Sequence, residues 1–375
     1  MVYNLSGCSF FMKKHIMRIM SRDDWKTKAR FIKGRIDAFS RIFKSRKYEA
    51  PDDLFFAIED LPLMGKEYWF LHFCTPGSRQ QAILTFGRAL DDVKVNRTNV
   101  NTRTKRAFDM LLSGIDCASV CWLYCEKKGK IVAIDSGVNL TLEGGAGKKM
   151  LKATGKTGTA SIIGKYPHYH VQLKKGNKIL LNAKVKPTNA GNPFEIIHML
   201  NPPVLRGLGA EMVNYYFDFE GKIGGKNTSG RAYLQKVVAA MPLAPWNWVR
   251  IYFKSGASLD FFAAKTLEGS QQGIRVACVC FLEYKGKRIK LGCPRLESWL
   301  EGKERRWLLH AKGLYLALSS YAMHGFVMRS KTKFCYDEFL VEVKDFAAKI
   351  NGKEITIDDV GAGCGIVEDA YGYLF

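Results

Sequence analysis

From about Lys66 onward the chain is a succession of short runs rich in β-branched and aromatic residues, cut by Gly, Asn or Lys-Gly turn signals. "KEYWFLHF", "QQAILTF", "ASVCWLYC", "KIVAIDSGVNLTL", "HYHVQL" and "KILLNAKV" come first. The same texture returns after Gly209 in "EMVNYYFDFEGKI", "RAYLQKVVA", "WNWVRIYF", "SLDFFAA", "IRVACVCFLEY", "KFCYDEFLVEV" and "GIVEDAYGYLF". Such runs read as strands, and little between them carries a long helical period. "LEYKGKRIKLG" and "VKDFAAKINGKEITI" read as strand–turn–strand units. A chain of 375 residues exceeds one ordinary core, so the pattern predicts two mainly antiparallel β domains, as sandwiches or barrels.

One segment breaks the pattern. Residues 21–47 open with Ser21 and Asp24 at capping-box spacing. Trp25, Ala29, Ile32, Ile36, Phe39 and Phe43 then recur at spacings of three and four, which places them on one helical face. Lys26, Lys28, Arg30, Lys33, Arg35, Arg41 and Lys44 fill the flanks. The apolar face suits packing on the body of the protein. A basic amphipathic helix also suits an anionic membrane, with Trp25, Ile32, Phe39 and Phe43 as its contact residues.

The formal net charge of +23 favours an anionic partner. The basic residues are spread along the whole chain, however, and no recognition-module motif is present, which disfavours nucleic acid. No run reaches the ~18 apolar residues of a membrane-spanning helix. The apolar "CSFFM" precedes the basic "KKHIMRIM", the reverse of a signal peptide. Ten cysteines without the regular spacing of a small secreted scaffold predict reduced thiols in a cytoplasmic protein, peripheral to a membrane if the basic helix binds one.

Several motifs fail on inspection. In "ATGKTGTA" a phosphate loop would need glycine where Met150 stands, so the segment reads as a turn. In "GAGCGIVE", Ile366 occupies the last glycine position of a dinucleotide fingerprint. Cys117, Cys121 and Cys125 match no common zinc or iron–sulfur spacing and read as buried thiols. His168 and His170 share a strand face but show no third ligand. Neither a metal nor a cofactor is expected.

The segment "PWNWVRIYF" carries the most information. Strand alternation puts Trp246, Trp248, Arg250 and Tyr252 on one face, and Asn247, Val249, Ile251 and Phe253 on the other. The second set is an ordinary core stripe. The first suits a cavity wall or an interface, where aromatic bodies and polar tips are both used; barrel packing with Arg250 as a solvated end is the plainer alternative. An internal echo links this strand to the first half: Trp69 is followed eight residues later by Gly77, and Trp248 eight residues later by Gly256.

The order from "NYYFDFEGKI" through "SGRAY" to "PWNWVRIYFKSGASLDFF" resembles the lipocalin-like double-barrel superfamily that includes carotenoid 1,2-hydratase (hydroxyneurosporene synthase) and tocopherol cyclase. "KEYWFLHFCTPGSRQQAILTFGRA" is similar to the opening strand of that family's first barrel, and "GCGIVEDAYGYLF" to its closing strand. The resemblance implies two calycin-like antiparallel barrels in tandem, at residues 61–210 and 211–375, behind a helical extension at residues 1–60. It also implies a cavity for an apolar, isoprenoid-like ligand, with Trp69, Tyr233, Gln235, Trp246, Trp248, Arg250, Tyr252 and Tyr371 as lining residues.

Hydratases and cyclases of the family protonate a carbon–carbon double bond, which needs an acid beside the alkene and aromatic faces for the carbocation. This chain departs from them at two places. It reads Tyr233-Leu234-Gln235-Lys236 where the hydratases carry acids, and Asn247 where they carry an aspartate between the tryptophans. Asp260, Glu368 and Asp369 remain as candidate acids. Hydration or cyclisation of a bound hydrophobic molecule and non-catalytic carriage of it both stay open at this point.

Overall fold

The computed structural model describes residues 50–373, apart from residues 60, 62–64, 90–92, 97, 103–112, 145–146, 189–192, 200–208, 241–243 and 266–274. The basic helix expected at residues 21–47, with Trp25, Ile32, Phe39 and Phe43, lies outside the described residues.

After a short helix α1 (Pro51–Phe55), the first half gives β1 (Gly65–Cys74), β2 (Gln81–Ala89), β3 (Val93–Val95), β4 (Thr98–Val100), β5 (Ile115–Cys125), β6 (Gly129–Gly144) and β7 (Lys149–Gly155). It continues through β8 (Gly158–Lys165), β9 (His168–Lys175), β10 (Lys178–Pro187), β11 (Phe194–Met199), β12 (Gly209–Ile223) and β13 (Lys226–Ala240). The second half gives β14 (Trp246–Phe253), β15 (Ser258–Lys265), β16 (Arg275–Tyr284), β17 (Lys287–Lys290), β18 (Arg295–Glu301) and β19 (Glu304–Ala311). It ends with β20 (Leu314–Arg329), β21 (Lys333–Ile350), β22 (Lys353–Thr356), the turn-like helix α2 (Ile357–Val360) and β23 (Gly363–Gly372).

Strands β10, β9, β8, β7, β6, β5, β2, β1, β13 and β12 pair in that order, and β12 also pairs with β10, from Leu181 opposite Ile223 to Pro187 opposite Phe217. The sheet therefore closes into a ten-stranded antiparallel barrel. Alternation fills its interior with Trp69, Leu71 and Phe73 from β1, Cys117 and Cys121 from β5, and Tyr215, Phe217 and Phe219 from β12. The cysteines of "CASVCWLYC" behave there as small apolar groups.

One end of the barrel is plugged by α1 and the residues after it. Trp69 donates to the Phe55 carbonyl at 2.8 Å, and Lys236 donates to the Ala57 carbonyl at 2.6 Å. Glu67, without exposed side-chain surface, lies between Arg88 at 2.7 Å and Lys236 at 2.5 Å. Asp52 accepts from the hydroxyls of Tyr169 and Tyr215 and from the Tyr166 amide. A buried charge needs such company.

The second sheet runs β17-β16-β15-β14-β23-β21-β20-β19-β18, with β22 added to β21 and the β3–β4 hairpin to β20. Its edge strands β17 and β18 do not pair with each other among the described residues, so one barrel is closed and the second sheet is open. Its own core is built from Val249, Ile251, Phe253, Phe261, Trp307, Phe339 and Val367, among others.

Two expectations are corrected. The aromatic restart after Gly209 is not the start of a second unit. Strands β12 and β13 hydrogen-bond into the first sheet, so a boundary at 210 would cut the barrel, and apart from the β3–β4 hairpin the strands of the second sheet all lie from Trp246 onward. The expectation of reduced thiols throughout also fails, because the β16–β17 hairpin brings Cys278 and Cys293 to a Cα separation of 5.5 Å, where they form a disulfide.

The glycines of "GAGCGIVE" have conformational reasons. Gly361 ends α2 with φ of 73°, and a Cβ on Gly365 would stand 1.9 Å from the Arg250 carbonyl on β14. Likewise, "ATGKTGTA" is the β7–β8 turn.

Candidate functional site

The two faces of β14 separate as alternation requires. Val249, Ile251 and Phe253 enter the second sheet's core, while Trp246, Trp248, Arg250 and Tyr252 face the outer wall of the barrel. That wall presents Phe70 and His72 from β1, Ile83 from β2, Trp122 from β5, Tyr216 from β12 and Tyr233 from β13. The rings of Phe70 and Trp248 meet edge to face at 5.5 Å, whereas Tyr233 and Trp248 at 5.5 Å and His72 and Tyr252 at 6.1 Å are tilted against each other. The Trp–Trp–Arg–Tyr face is therefore one side of a seam between the barrel and the second sheet.

Across the second sheet's side of the seam, one row of directly opposed residues runs His324 on β20, Glu338 on β21, Glu368 on β23 and Trp248 on β14. Two carboxyl groups are thus neighbours on one face, and both are withdrawn from water, Glu338 at 0% and Glu368 at 4% exposure. Each accepts from an indole: Trp122 Nε1 reaches Glu338 Oε2 at 2.5 Å, and Trp246 Nε1 reaches Glu368 Oε2 at 2.8 Å. The other Glu338 oxygen is buried without a hydrogen-bond partner among the described residues. Burial pushes the Glu368 carboxyl up to about 7 against the donated hydrogen bonds of Tyr336 and Trp246. Burial, reinforced by Glu368, pushes Glu338 well above the carboxylate range. A like-charged pair out of water keeps at least one proton at neutral pH.

The rest of the seam is polar and largely paired, although Arg250 Nε, His72 Nδ1 and His324 Nε2 are also buried without a hydrogen-bond partner among the described residues. The Arg250 guanidinium lies 4.0 Å from the Tyr233 ring centre, 5.0 Å from Tyr216 and 5.5 Å from Trp248. It is ion-paired with Asp260, which also accepts from Trp248 Nε1 at 2.7 Å. The space lined by Tyr216, Arg250, Ser258, Asp260, Phe281, Glu283 and Arg288 has a volume of about 10 Å³, room for about one water. Tyr233 donates to Asn214 at 2.8 Å, and Gln235 Nε2 donates to the same Asn214 oxygen at 2.9 Å. His72 Nε2 pairs with Gln81 Oε1 at 2.6 Å, and burial draws the imidazole down to about 4, so it is neutral.

Of the residues singled out from the sequence, Tyr233, Gln235, Trp246, Trp248, Arg250, Tyr252 and Glu368 come together in the seam, with Asp260 at its edge. Three do not. Trp69 points into the closed barrel, unexposed, with the Lys236 ammonium 3.4 Å from its ring centre. The echo of Trp69 with Trp248 is out of phase by one residue, and Phe70 is the residue that faces the seam. Tyr371 is 47% exposed and lies on the opposite strand face, near Asp337 and Cys335. Asp369 also turns away from the seam, to Lys265 at 2.7 Å and Asn247 at 3.0 Å. Glu338 and its donor Trp122 join the seam without standing out in the sequence. The available signal was an acid interrupting the buried stripe Phe334, Tyr336, Leu340 of "KFCYDEFLVEV".

No protein-family model matches the chain, and no curated protein matches its sequence. Solved structures do match. A protein of Nitrosomonas europaea provisionally described as AttH is 12% identical with a TM-score of 0.51, over 88% of this chain and 98% of that one. CghA with Sch210972 is 11% identical with a TM-score of 0.43, over 82% of this chain and 88% of that one. Kievitone hydratase from Nectria haematococca is 10% identical with a TM-score of 0.40, over 87% of this chain and 93% of that one. At such identity the likeness to the first is one of fold, a lipocalin-like barrel fold that extends over both sheets.

Proposed function

We propose that the protein binds a hydrophobic, isoprenoid-like small molecule in the seam between its barrel and its second sheet, and that the Glu338–Glu368 pair gives a proton to a carbon–carbon double bond of that molecule. One observation carries the proposal: two carboxyl groups sit side by side out of water, facing aromatic rings, and one of their oxygens has no partner among the described residues. Ionised, each would carry a desolvation cost of several kcal/mol. Pairs of titratable groups with displaced pKa values are the arrangement that keeps a carboxylic acid protonated near neutrality.

In the proposed step the alkene π pair takes the carboxyl proton, the O–H bonding pair stays on the carboxylate, and a carbocation forms on the ligand. The Trp122 and Trp246 indole N–H groups stabilise the carboxylate so formed, and neighbouring rings such as Trp248 and Phe70 face the cation. Water or an internal double bond then closes the reaction, and a proton returns to the carboxylate. Delivery of the ligand from an anionic membrane through the basic segment at residues 21–47 belongs to the same proposal.

Non-catalytic carriage of the same ligand is the second reading, and a specific observation favours it. Arg250 already occupies the aromatic cage of Tyr216, Tyr233 and Trp248, where a ligand cation would otherwise rest.

Both readings are tested by titrating the protein with farnesol and phytol while following tryptophan emission, then incubating the complex in deuterated water. Saturable quenching with deuterium uptake into the prenyl chain, lost in Glu338→Gln/Glu368→Gln, is the result expected of the enzyme. Quenching without uptake identifies a carrier. No saturable quenching, together with no apolar molecule retained by the protein purified from its host, overturns both.

A further inference from the structure

At one rim of the seam the barrel and the second sheet meet through sulfur. Cys74 ends β1 and Cys364 stands near the start of β23, 290 positions later, and their Sγ atoms are 2.8 Å apart. Both are buried, at 0% and 2% exposure, in a small cluster with Tyr252. The Cys364 thiol also points to the Thr75 carbonyl at 3.2 Å. A disulfide places its sulfurs about 2 Å apart, so a side-chain adjustment of under about 1 Å separates this contact from a bond. Among the described residues the remaining free cysteines lie elsewhere: Cys117, Cys121 and Cys125 inside the barrel, Cys280 in the core of the second sheet, and Cys335 on β21.

We propose that Cys74 and Cys364 are a modification site at which a low-molecular-weight disulfide oxidises the pair to a bond joining the barrel to the second sheet. With oxidised glutathione as oxidant, one thiolate attacks a glutathione sulfur and displaces glutathione as its thiol. The second cysteine then displaces the other glutathione from the mixed disulfide. Two cysteine thiols lose two electrons and two protons in sum, and one glutathione disulfide becomes two thiols.

Burial raises the Cys74 thiol well above its ordinary range, with its partner thiol adding to the effect. The pair is therefore unreactive while the seam is shut and exchanges when the sheets part. Once formed, the bond holds shut the seam through which a ligand would enter; that consequence rests on the function proposed above, whereas the bond itself does not.

The test begins with the reduced full chain, incubated with oxidised glutathione, unfolded in guanidinium and alkylated. Peptide mapping is expected to recover the segments around Cys74 and Cys364 joined and two hydrogens lighter. The free thiol count is expected to fall by two, a change absent from both Cys74→Ser and Cys364→Ser. Alkylation of Cys74 and Cys364 to the same extent as in the untreated chain overturns the proposal, as does an unchanged thiol loss in either variant. Farnesol quenching, measured before and after oxidation, isolates the ligand clause. Its loss on oxidation and return with a reducing thiol support gating, and equal quenching in both states overturns gating alone. Absence of quenching in the reduced protein counts against ligand binding, and the mapping still decides the bond.

Discussion

The pH dependence of stability gives the most direct handle on the acid pair, through Glu368→Gln. The amide is isosteric with the protonated acid and does not titrate. Glu368 titrates near 4.5 in an unfolded chain and about 7 in the folded protein. Between those values the native state holds a proton that the unfolded state has lost, so stability falls as pH rises. The stabilisation of the protonated form is fully present below pH 4.5 and is gone above about pH 7. The interval of about 2.5 pH units, at ~1.36 kcal/mol for each, amounts to about 3 kcal/mol.

Urea unfolding followed by circular dichroism, from about pH 4.5 to about pH 8, reads this as a falling midpoint. Other groups titrate too, so the decisive quantity is the difference between parent and variant, which should change by about 3 kcal/mol over that range. A variant that keeps the parent's slope would refute the assignment of a raised pKa to Glu368, and with it the acid in the proposed reaction. Glu338→Gln repeats the test one strand over. Burial, reinforced by Glu368, pushes Glu338 up as well, so this variant should also remove a fall of stability with rising pH.

Three further outcomes follow from the packing. Arg250→Met strands Asp260 among aromatic rings and should lower stability by about 3 kcal/mol, with Asp260→Asn in the same chain recovering part of the loss; strictly additive urea midpoints would refute the pairing. Gly365→Ala drives a methyl group into the Arg250 carbonyl and should leave little folded protein by size exclusion, whereas Gly147→Ala, which meets nothing within 4 Å, should change stability by under ~0.5 kcal/mol. Lys236→Met removes a donor from both Glu67 and the Ala57 carbonyl. It should cost about 3 kcal/mol and speed proteolytic cutting between α1 and β1; an unchanged cutting rate would show that the plug is held otherwise.

Alternation made the strands legible, because period-two burial is a local property. It divided β14 correctly into a core stripe and a second face suited to a wall or an interface. What alternation cannot give is the partner of each strand. The restart after Gly209 looks like any other aromatic strand, and only the long-range pairing of β12 with β10 and of β13 with β1 shows that it completes the first barrel. The same limit explains the site. Glu338 and Glu368 lie 30 residues apart in the sequence, and only the β21–β23 register makes them neighbours. Asn247 read as a lost acid, yet it donates to Asp369 on the next strand, with the carboxylate balanced by Lys265. At 12% identity the likeness to the Nitrosomonas europaea protein is one of fold and says nothing of these side chains.

The case against a merely structural role for the acid pair comes from the rest of the molecule. The chain has 58 lysines and arginines against 35 acidic residues, so a cation was abundant wherever one was needed. Elsewhere it was used: Glu67 has Arg88 and Lys236, Asp260 has Arg250, and Asp369 has Lys265. Asp52, which takes no cation, receives three donors. Among the described residues Glu338 receives one donor for two oxygens, and its cross-strand neighbours are another carboxyl, Glu368, and the imidazole of His324 rather than a lysine or arginine. For folding alone, apolar side chains would fill such a site as well or better. A pair of acids that keeps a proton near neutrality, held against indole donors, makes sense where a proton has to be given up and taken back. Glutamine at both positions keeps the shape and the hydrogen-bond acceptors and removes the proton, so a chain that folds and binds but no longer exchanges hydrogen with its ligand is the split that a structural role does not produce.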